Sequence, residues 1–467
     1  MRTKTRWAAA AAALGIAAGG GALAGCSSGG GDSGGDAKSI TVWSLENQTD
    51  RVRATQKIAD RFTSKTGIKV KIVGTDENQF SQLITSAGAA GKLPDVVGAL
   101  PLAAVRQMAS NELLDTRTAK QVVADLGAGT FARRSLELTR DKSTQLAVPS
   151  DGWAQLLVYR KDLFDAAGLP APDTFQKITA AAQALNKGGM AGITMATVPD
   201  DAFTEQTFEN FALANGCQLV DSHGKVTLDS KACVDTFSFY GDLVRKYGPA
   251  GAQDVDSTRA TYFAGKAAMV VWSSFLLDEM AGLRKDALPS CPECRADTAY
   301  LAKNSGIVTA VKGPDGRSPA QFGELTSWVA SKDGHASAAK KFIEYMMSDG
   351  YADWLGIAPE GKFPARQGTK DDGKAYVNAW NTLPAGVDVK KPLGQIYPAA
   401  VLDDLRTSPD TFQRWGITQG QGALVGATLG ELPVPKAVNA LANGETDAAG
   451  AARRATADVK SIQSSLK

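Results

Sequence analysis

Histidine is nearly absent from this sequence: His223 and His335 are the only two in 467 residues, both in polar turns and in no ligand spacing. That scarcity argues against a zinc site and against a nucleophile oriented by a histidine base. There is no Walker-type phosphate loop. Past the first 25 residues, no apolar run is long enough to span a bilayer. Basic residues form no stripe: 51 Lys and Arg stand against 49 Asp and Glu, and nothing points to a nucleic-acid surface. No internal repeat is evident, and no residue pattern calls for a cofactor.

What is present begins with an address. Arg2, Lys4 and Arg6 precede an apolar run from Trp7 to about Ala18, the pattern of a secretory signal peptide over residues 1–25. Leu23-Ala24-Gly25-Cys26 resembles the bacterial lipobox. The resemblance implies cleavage before Cys26, diacylglycerol on its sulfur and acylation of the new amino terminus. Each buried methylene of such an anchor contributes about 0.8 kcal/mol. Residues 26–37, rich in Gly, Ser and Asp, read as a flexible tether. The formal charge of +2 includes three leader cations, so the rest of the chain is close to neutral. Its length suits two or three domains with sizeable cores.

Removing Cys26 from the five cysteines leaves an even four: Cys217, Cys233, Cys291 and Cys294. In an exported chain this parity favours two disulfides. Four cysteines allow three pairings, and proximity favours Cys217 with Cys233 and Cys291 with Cys294. A bridge closing about 15 residues contributes roughly 3 kcal/mol on the chain-entropy account. The "CPEC" segment is also compatible with a redox dithiol or half of a zinc site. No thioredoxin-like strand and helix surround it, however.

The early chain has a β-α-β-α-β rhythm. "SITVW" (39–43) reads as a buried strand, with Trp43 as core. The next helix carries Val52, Ile58, Ala59 and Phe62 on one face and stops at Gly67. "IKVKIV" alternates as a second strand, "NQFSQLITSAGAAG" reads as a helix, and "DVVGAL" (95–100) as a third strand. Such alternation implies a parallel sheet with right-handed crossovers, whose ligands sit outside the carboxyl ends of the strands. That rule points to Ser44–Gln48 and Leu100–Leu102. Farther on, a strand ends at Tyr159 and a short turn at Gly168. A capping box from Asp173 to Gln176 then starts a helix faced by Phe175, Ile178 and Leu185. Ala267–Val271 reads as a buried strand after a turn at Gly265. The later helices carry Phe342, Tyr345 and Met346 inward and run again over about Val434–Ala442.

The segments "TVWSLEN", "QLITSAGAAGKLPDVV", "VPSDGWAQLLVYRKDLFDAAGLPAPDTF", "TYFAGKAAMVVWSSF", "AAKKFIEYMMS" and "GKFPARQG", in this order behind a lipobox, carry a resemblance. From about Ile40 to the carboxyl terminus the chain resembles the extracellular solute-binding proteins of carbohydrate ABC importers, the maltose-binding-protein-like family. The resemblance implies an α/β, two-lobed periplasmic-binding-protein-like fold of type II. Each lobe is then a mainly parallel sheet flanked by helices, and the hinge is crossed several times. The expected lobes are 38–149 plus about 301–360, and 150–300 plus about 361–467. Crossings are expected near Pro149–Asp151, Tyr300 and Gly361–Pro364, where Pro and Gly suit bends. The implied function is reversible capture of a sugar or oligosaccharide between the lobes. Delivery is to membrane permease subunits, by a monomer held to the outer face of the membrane by its lipid.

Sugar hydroxyls need bidentate acceptors and donors, and pyranose C–H faces need flat aromatic surfaces. Glu46, Asn47 and Gln48 form a polar cluster at the end of the first strand. Trp153 matches a family position that contacts ligand and is equally suited to interlobe packing. Trp272 and Phe275 lie where the family presents a stacking aromatic. Phe275 stands in place of the usual tryptophan, which leaves open which ring stacks. Phe203 and Gln206 come from a segment that enters the family's cleft, and Trp328 and Arg366 are further candidates. Trp415 lies in a stretch longer than the family pattern. Two other readings compete: an exported lipoprotein enzyme acting on glycans, and a receptor for a peptide, polyamine or phosphodiester. The enzyme needs two carboxylates aimed at one bond, and no motif singles out such a pair. Strong acidic clustering in the cleft would favour a polyamine.

Overall fold

A computed structural model describes residues 37–466. The expected leader, Cys26 and nearly all of the tether lie outside the described residues. The first strand, β1 (Ser39–Ser44), buries Ile40, Val42 and Ser44. Helix α1 (Thr49–Thr66) lays Thr55, Ile58, Ala59 and Phe62 against the sheet. It ends at Gly67, whose φ of +77° only glycine adopts freely and whose N–H caps the Thr63 carbonyl. Then follow β2 (Lys69–Gly74), α2 (Glu77–Ala89), β3 (Val96–Pro101) and α3 (Leu102–Ser110). β1 pairs in parallel with β2 on one side and β3 on the other, as the alternating rhythm implies.

The two lobes share one strand. β4 (Val148–Arg160) is thirteen residues long, and its halves have different neighbours. Val148–Ala154 pairs antiparallel with β7 (Gly323–Ala330), which also flanks β3. Gln155–Arg160 pairs antiparallel with β5 (Met269–Ser273) and β6 (Ser305–Val308). A short β8 (Phe363–Pro364) lies against Gly152 and Asp151. The order is β8-β4-β7-β3-β1-β2. The molecule is therefore α/β and two-lobed, parallel among β1–β3 and antiparallel wherever the chain returns through the hinge.

Strand pairing and backbone contacts trace the chain between the lobes. Tyr300 opens a short helix, and its hydroxyl donates to Asp162 at 3.1 Å. β6 after it is still paired inside the second lobe, because the outer half of β4 needs a neighbour on both edges. The chain returns only at Gly323. Phe363–Pro364 pairs with the hinge half of β4, and the segment beyond it makes contacts with the first lobe. The Ala365 carbonyl accepts from Ala132 N, Gln367 N donates to the Thr130 carbonyl, and Tyr376 packs edge-on to Tyr351 at 4.7 Å. Only from Val387, whose N–H reaches the Leu283 carbonyl, does the backbone join the second lobe.

Each lobe has its own core. In the first, Phe62, Phe342, Trp328 and Trp354 interlock, with Phe342, Tyr345 and Met346 turned inward from the helix Ala336–Met346. In the second, Phe208, Phe211, Phe237 and Tyr240 pack around the helix Ala202–Ala214, here α4. The structure joins Cys217 to Cys233 (Cα–Cα 4.7 Å) and Cys291 to Cys294 (4.9 Å). The helix Phe175–Leu185 starts one residue later than the capping-box pattern implies. Thr174, held extended, accepts from Lys177 N through its hydroxyl, while Asp173 pairs with the Lys177 ammonium at 2.7 Å. Among the described residues no helix is long and apolar enough to cross a membrane.

Candidate functional site

A cleft of about 340 Å³ opens between the lobes at the carboxyl ends of β1 and β3. The first lobe contributes Leu45, Glu46, Arg51, Glu77, Ala99 and Pro101. The hinge contributes Asp151, Trp153, Glu324, Thr326 and Gly361. The second lobe contributes Asp201, Phe203, Gln206, Val255, Ser273 and Phe275. At the floor, β3 slips register between Val97 and Leu100, and Ala99 takes a φ of +54°, a left-handed conformation disfavoured for alanine. Such strain persists where surrounding structure fixes it, and here it lies in the wall of the cleft.

The charged groups of the cleft are tightly paired. Glu46 is buried and bridges Arg51 at 2.7 Å and Lys362 at 2.5 Å. Burial works against its charge, but the two cations prevail and hold its carboxyl down at about 2. Lys362 also reaches Asp151 at 3.3 Å and lies 4.0 Å from the centre of the Trp354 ring. The Trp354 indole N–H donates to Asp151 at 2.6 Å. On the other wall, Glu324 accepts from Leu102 N at 3.0 Å and from Arg414 at 2.5 Å. Glu77 begins α2 at the rim. Crowding by the cleft walls, together with the charges of Glu324 and Glu46, pushes its carboxyl up to about 7. The Thr326 hydroxyl is buried without a partner among the described residues. Across the gap the lobes meet where Arg51 covers the Phe275 ring at 4.8 Å and Arg284 approaches Gln48 at 3.5 Å.

Of the expected ligand residues, the structure brings Glu46, Trp153, Phe203, Gln206 and Phe275 together in this cleft. Trp153 is half-buried and tilted on Phe322 at 5.8 Å, and Phe203 meets Trp272 at 6.2 Å. Trp272 stands behind the wall. Its indole N–H donates to the Val255 carbonyl at 2.9 Å, so it braces Val255 and Phe203 rather than facing the gap. Asn47 and Gln48 are exposed and do not line the cleft.

Three further candidates lie away from the cleft. Trp328 is fully buried in the first core, 4.9 Å from Trp354, because both faces of β7 are covered. Trp415 is fully buried beside Phe208. Arg366 spends its guanidinium on the Leu126 and Met347 carbonyls and the Thr130 hydroxyl.

Reading residues alone missed Arg51, Glu77, Asp151, Asp201, Glu324 and Thr326. The first two stand near the amino ends of the helices that follow β1 and β2, just beyond the kind of position the strand-end rule selects. Asp151 sits two residues before Trp153. Glu324 and Thr326 carried no signal, because the return of β7 to the hinge was not evident. A separate depression of about 450 Å³ around Glu112 and Lys332 receives none of the expected residues.

The chemistry of the cleft is that of recognition: carboxylates and hydroxyls to accept and donate, and Trp153, Phe203 and Phe275 to offer ring surfaces. Residues 46–353 match the family of bacterial extracellular solute-binding proteins, and the chain belongs to that family. It is 27% identical over 392 residues to a putative ABC transporter periplasmic-binding protein of Escherichia coli K12, YcjN. That match covers 81% of this chain and 84% of the relative. Its fold is similar to that of maltose-bound T. maritima MalE3, with a TM-score of 0.68, 19% identity, and coverage of 91% of this chain and 99% of that one. It is also similar to the GacH receptor of Streptomyces glaucescens, solved unliganded and with acarbose. There the TM-score is 0.69 and the identity 19%, with 91% and 98% of the two chains covered.

Proposed function

We propose that this solute-binding protein of an ABC importer reversibly captures a sugar or oligosaccharide in the interlobe cleft. The single observation that carries the reading is the convergence of Trp153, Phe203 and Phe275 with carboxylates and hydroxyls in one cleft between lobes. Flat ring surfaces suit the C–H faces of pyranoses, and Glu46, Asp151, Thr326 and Gln206 suit their hydroxyls. Neighbours bound to maltose and to acarbose support the same class of ligand. Glu46 and Asp151 share the Lys362 ammonium, which orients both as acceptors, and Glu46, held down at about 2 by its two cations, is not poised as an acid for glycoside cleavage. The captured sugar passes unchanged to the permease, and the lipidated Cys26 holds the receptor at the outer face of the membrane.

Titration calorimetry against a sugar panel, with product analysis in parallel, tests the reading. The expected outcome is micromolar or tighter affinity, about −8 kcal/mol, with the sugar recovered intact. Turnover of a glycan, or a panel answered only by peptides or phosphodiesters, overturns it. Mass spectrometry of the membrane-bound protein tests the anchor, which requires an acylated Cys26 as the first residue.

A further inference from the structure

A narrow recess of about 30 Å³ leads off the cleft and shares Glu77, Pro101, Gln206 and Glu324 with its wall. Deeper in, α4 presents Glu205 and Glu209, one helical turn apart, and Arg414 is the cation in the lining. Four carboxyl groups thus face one guanidinium. Arg414 is already committed: its Nε donates to Glu209 at 3.2 Å and its Nη1 to Glu324 at 2.5 Å. Glu209 also accepts from Trp415 N at 2.8 Å.

Glu205 differs from the others. It is only 9% exposed, and its Oε2 is buried with no hydrogen-bond partner among the described residues. A buried acceptor left unmatched costs on the order of 1–3 kcal/mol, so its place at the end of a binding cleft points to a partner arriving from outside. Pro101, Val425 and Leu429 make the remaining walls apolar, which strengthens any charge pairing inside.

We infer that this recess receives a primary ammonium group, so that the saccharide captured in the cleft carries a free amino group. The inference rests on the sugar-capture reading and narrows it. The size of the recess sets the form of the amine. It has room for about one or two non-hydrogen atoms, enough for an ammonium and too little for an acetamido group. Burial and the neighbouring Glu209 hold the Glu205 proton on to about 7, and an arriving cation favours its release.

Titration calorimetry with matched sugars decides the matter. The probes are glucosamine, N-acetylglucosamine and glucose, the corresponding galacto sugars, and the β-1,4 disaccharides of each. The free-amine form is expected to bind at least about tenfold tighter than both counterparts, the scale of one charge-assisted hydrogen bond. In Glu205→Gln that ratio should fall to within about threefold. Equal or tighter binding of the hydroxyl or acetamido sugars by the unaltered protein overturns this inference alone, as does a ratio that survives Glu205→Gln. Silence from these sugars overturns this inference alone where the wider sugar panel answers, and together with the sugar-capture reading where only spermidine or no solute at all does.

Discussion

Lys362 holds two carboxylates at once, Glu46 from the first lobe and Asp151 from the hinge, with the Trp354 ring beneath it. Replacing it by methionine keeps the packing of the stem and strands two buried charges. Lys362→Met should therefore destabilise the fold by about 3–5 kcal/mol in urea denaturation. A loss under 1 kcal/mol would mean that water reaches both acids. Trp153 is the opposite case, half-buried and free on its cleft side. Trp153→Ala should weaken sugar binding by roughly tenfold or more in calorimetry, with a smaller effect on folding than Lys362→Met.

At this scale the sequence was an uneven guide. Glu46, Phe203 and Gln206 line the cleft, as strand ends and a known pattern imply. Trp328 and Trp415 lie buried away from the cleft, because a tryptophan suits a core as well as a ligand. In a strand covered on both faces, alternation cannot say which way a ring points.

Among elements, the hinge strands depend on missing side chains. A Cβ at Gly323 would meet the Phe412 ring at 1.9 Å, and one at Gly152 would meet the same ring at 2.4 Å. Both glycines leave room for one phenylalanine beside β4 and β7, and neither has a positive φ, so the constraint is steric. Gly323→Ala should cost about 1–3 kcal/mol through overpacking, and adding Phe412→Leu should restore part of the loss. Additive losses in the double variant would place the strain elsewhere. The first three strands and their helices were legible because each repeats a clean period of two or near 3.6. The hinge was not. β4 reads as one strand from its residues, and nothing local says that its halves belong to different sheets. The return at Gly323, rather than near Tyr300, depends on which strand edge was still vacant.

The whole molecule couples capture to stability in two ways. A ligand that bridges the lobes and binds only the folded chain should raise its stability by about 2.7 kcal/mol at a hundredfold excess over Kd. The buried acids set a second dependence, on pH. Burial pushes Glu205 and Glu209 up to about 7 from an ordinary 4.5. Between those values the folded chain keeps protons that the unfolded chain has lost, so stability falls as pH rises from about 4.5 to 7. Glu46 acts in the other direction. Its folded value of about 2 lies below 4.5, so its contribution is complete above about 4.5 and is lost as pH falls toward 2. The urea midpoint of the unliganded protein should therefore peak near about pH 5 and decline on both sides. Glu205→Gln, which has no proton to lose, should flatten the limb between about pH 5 and 7 and leave the acid limb in place. A midpoint that climbs steadily from about pH 5 to 7 would mean that Glu205 and Glu209 are already ionised and paired in the unliganded cleft. The recess beside α4 would then have to hold its charge without any ligand.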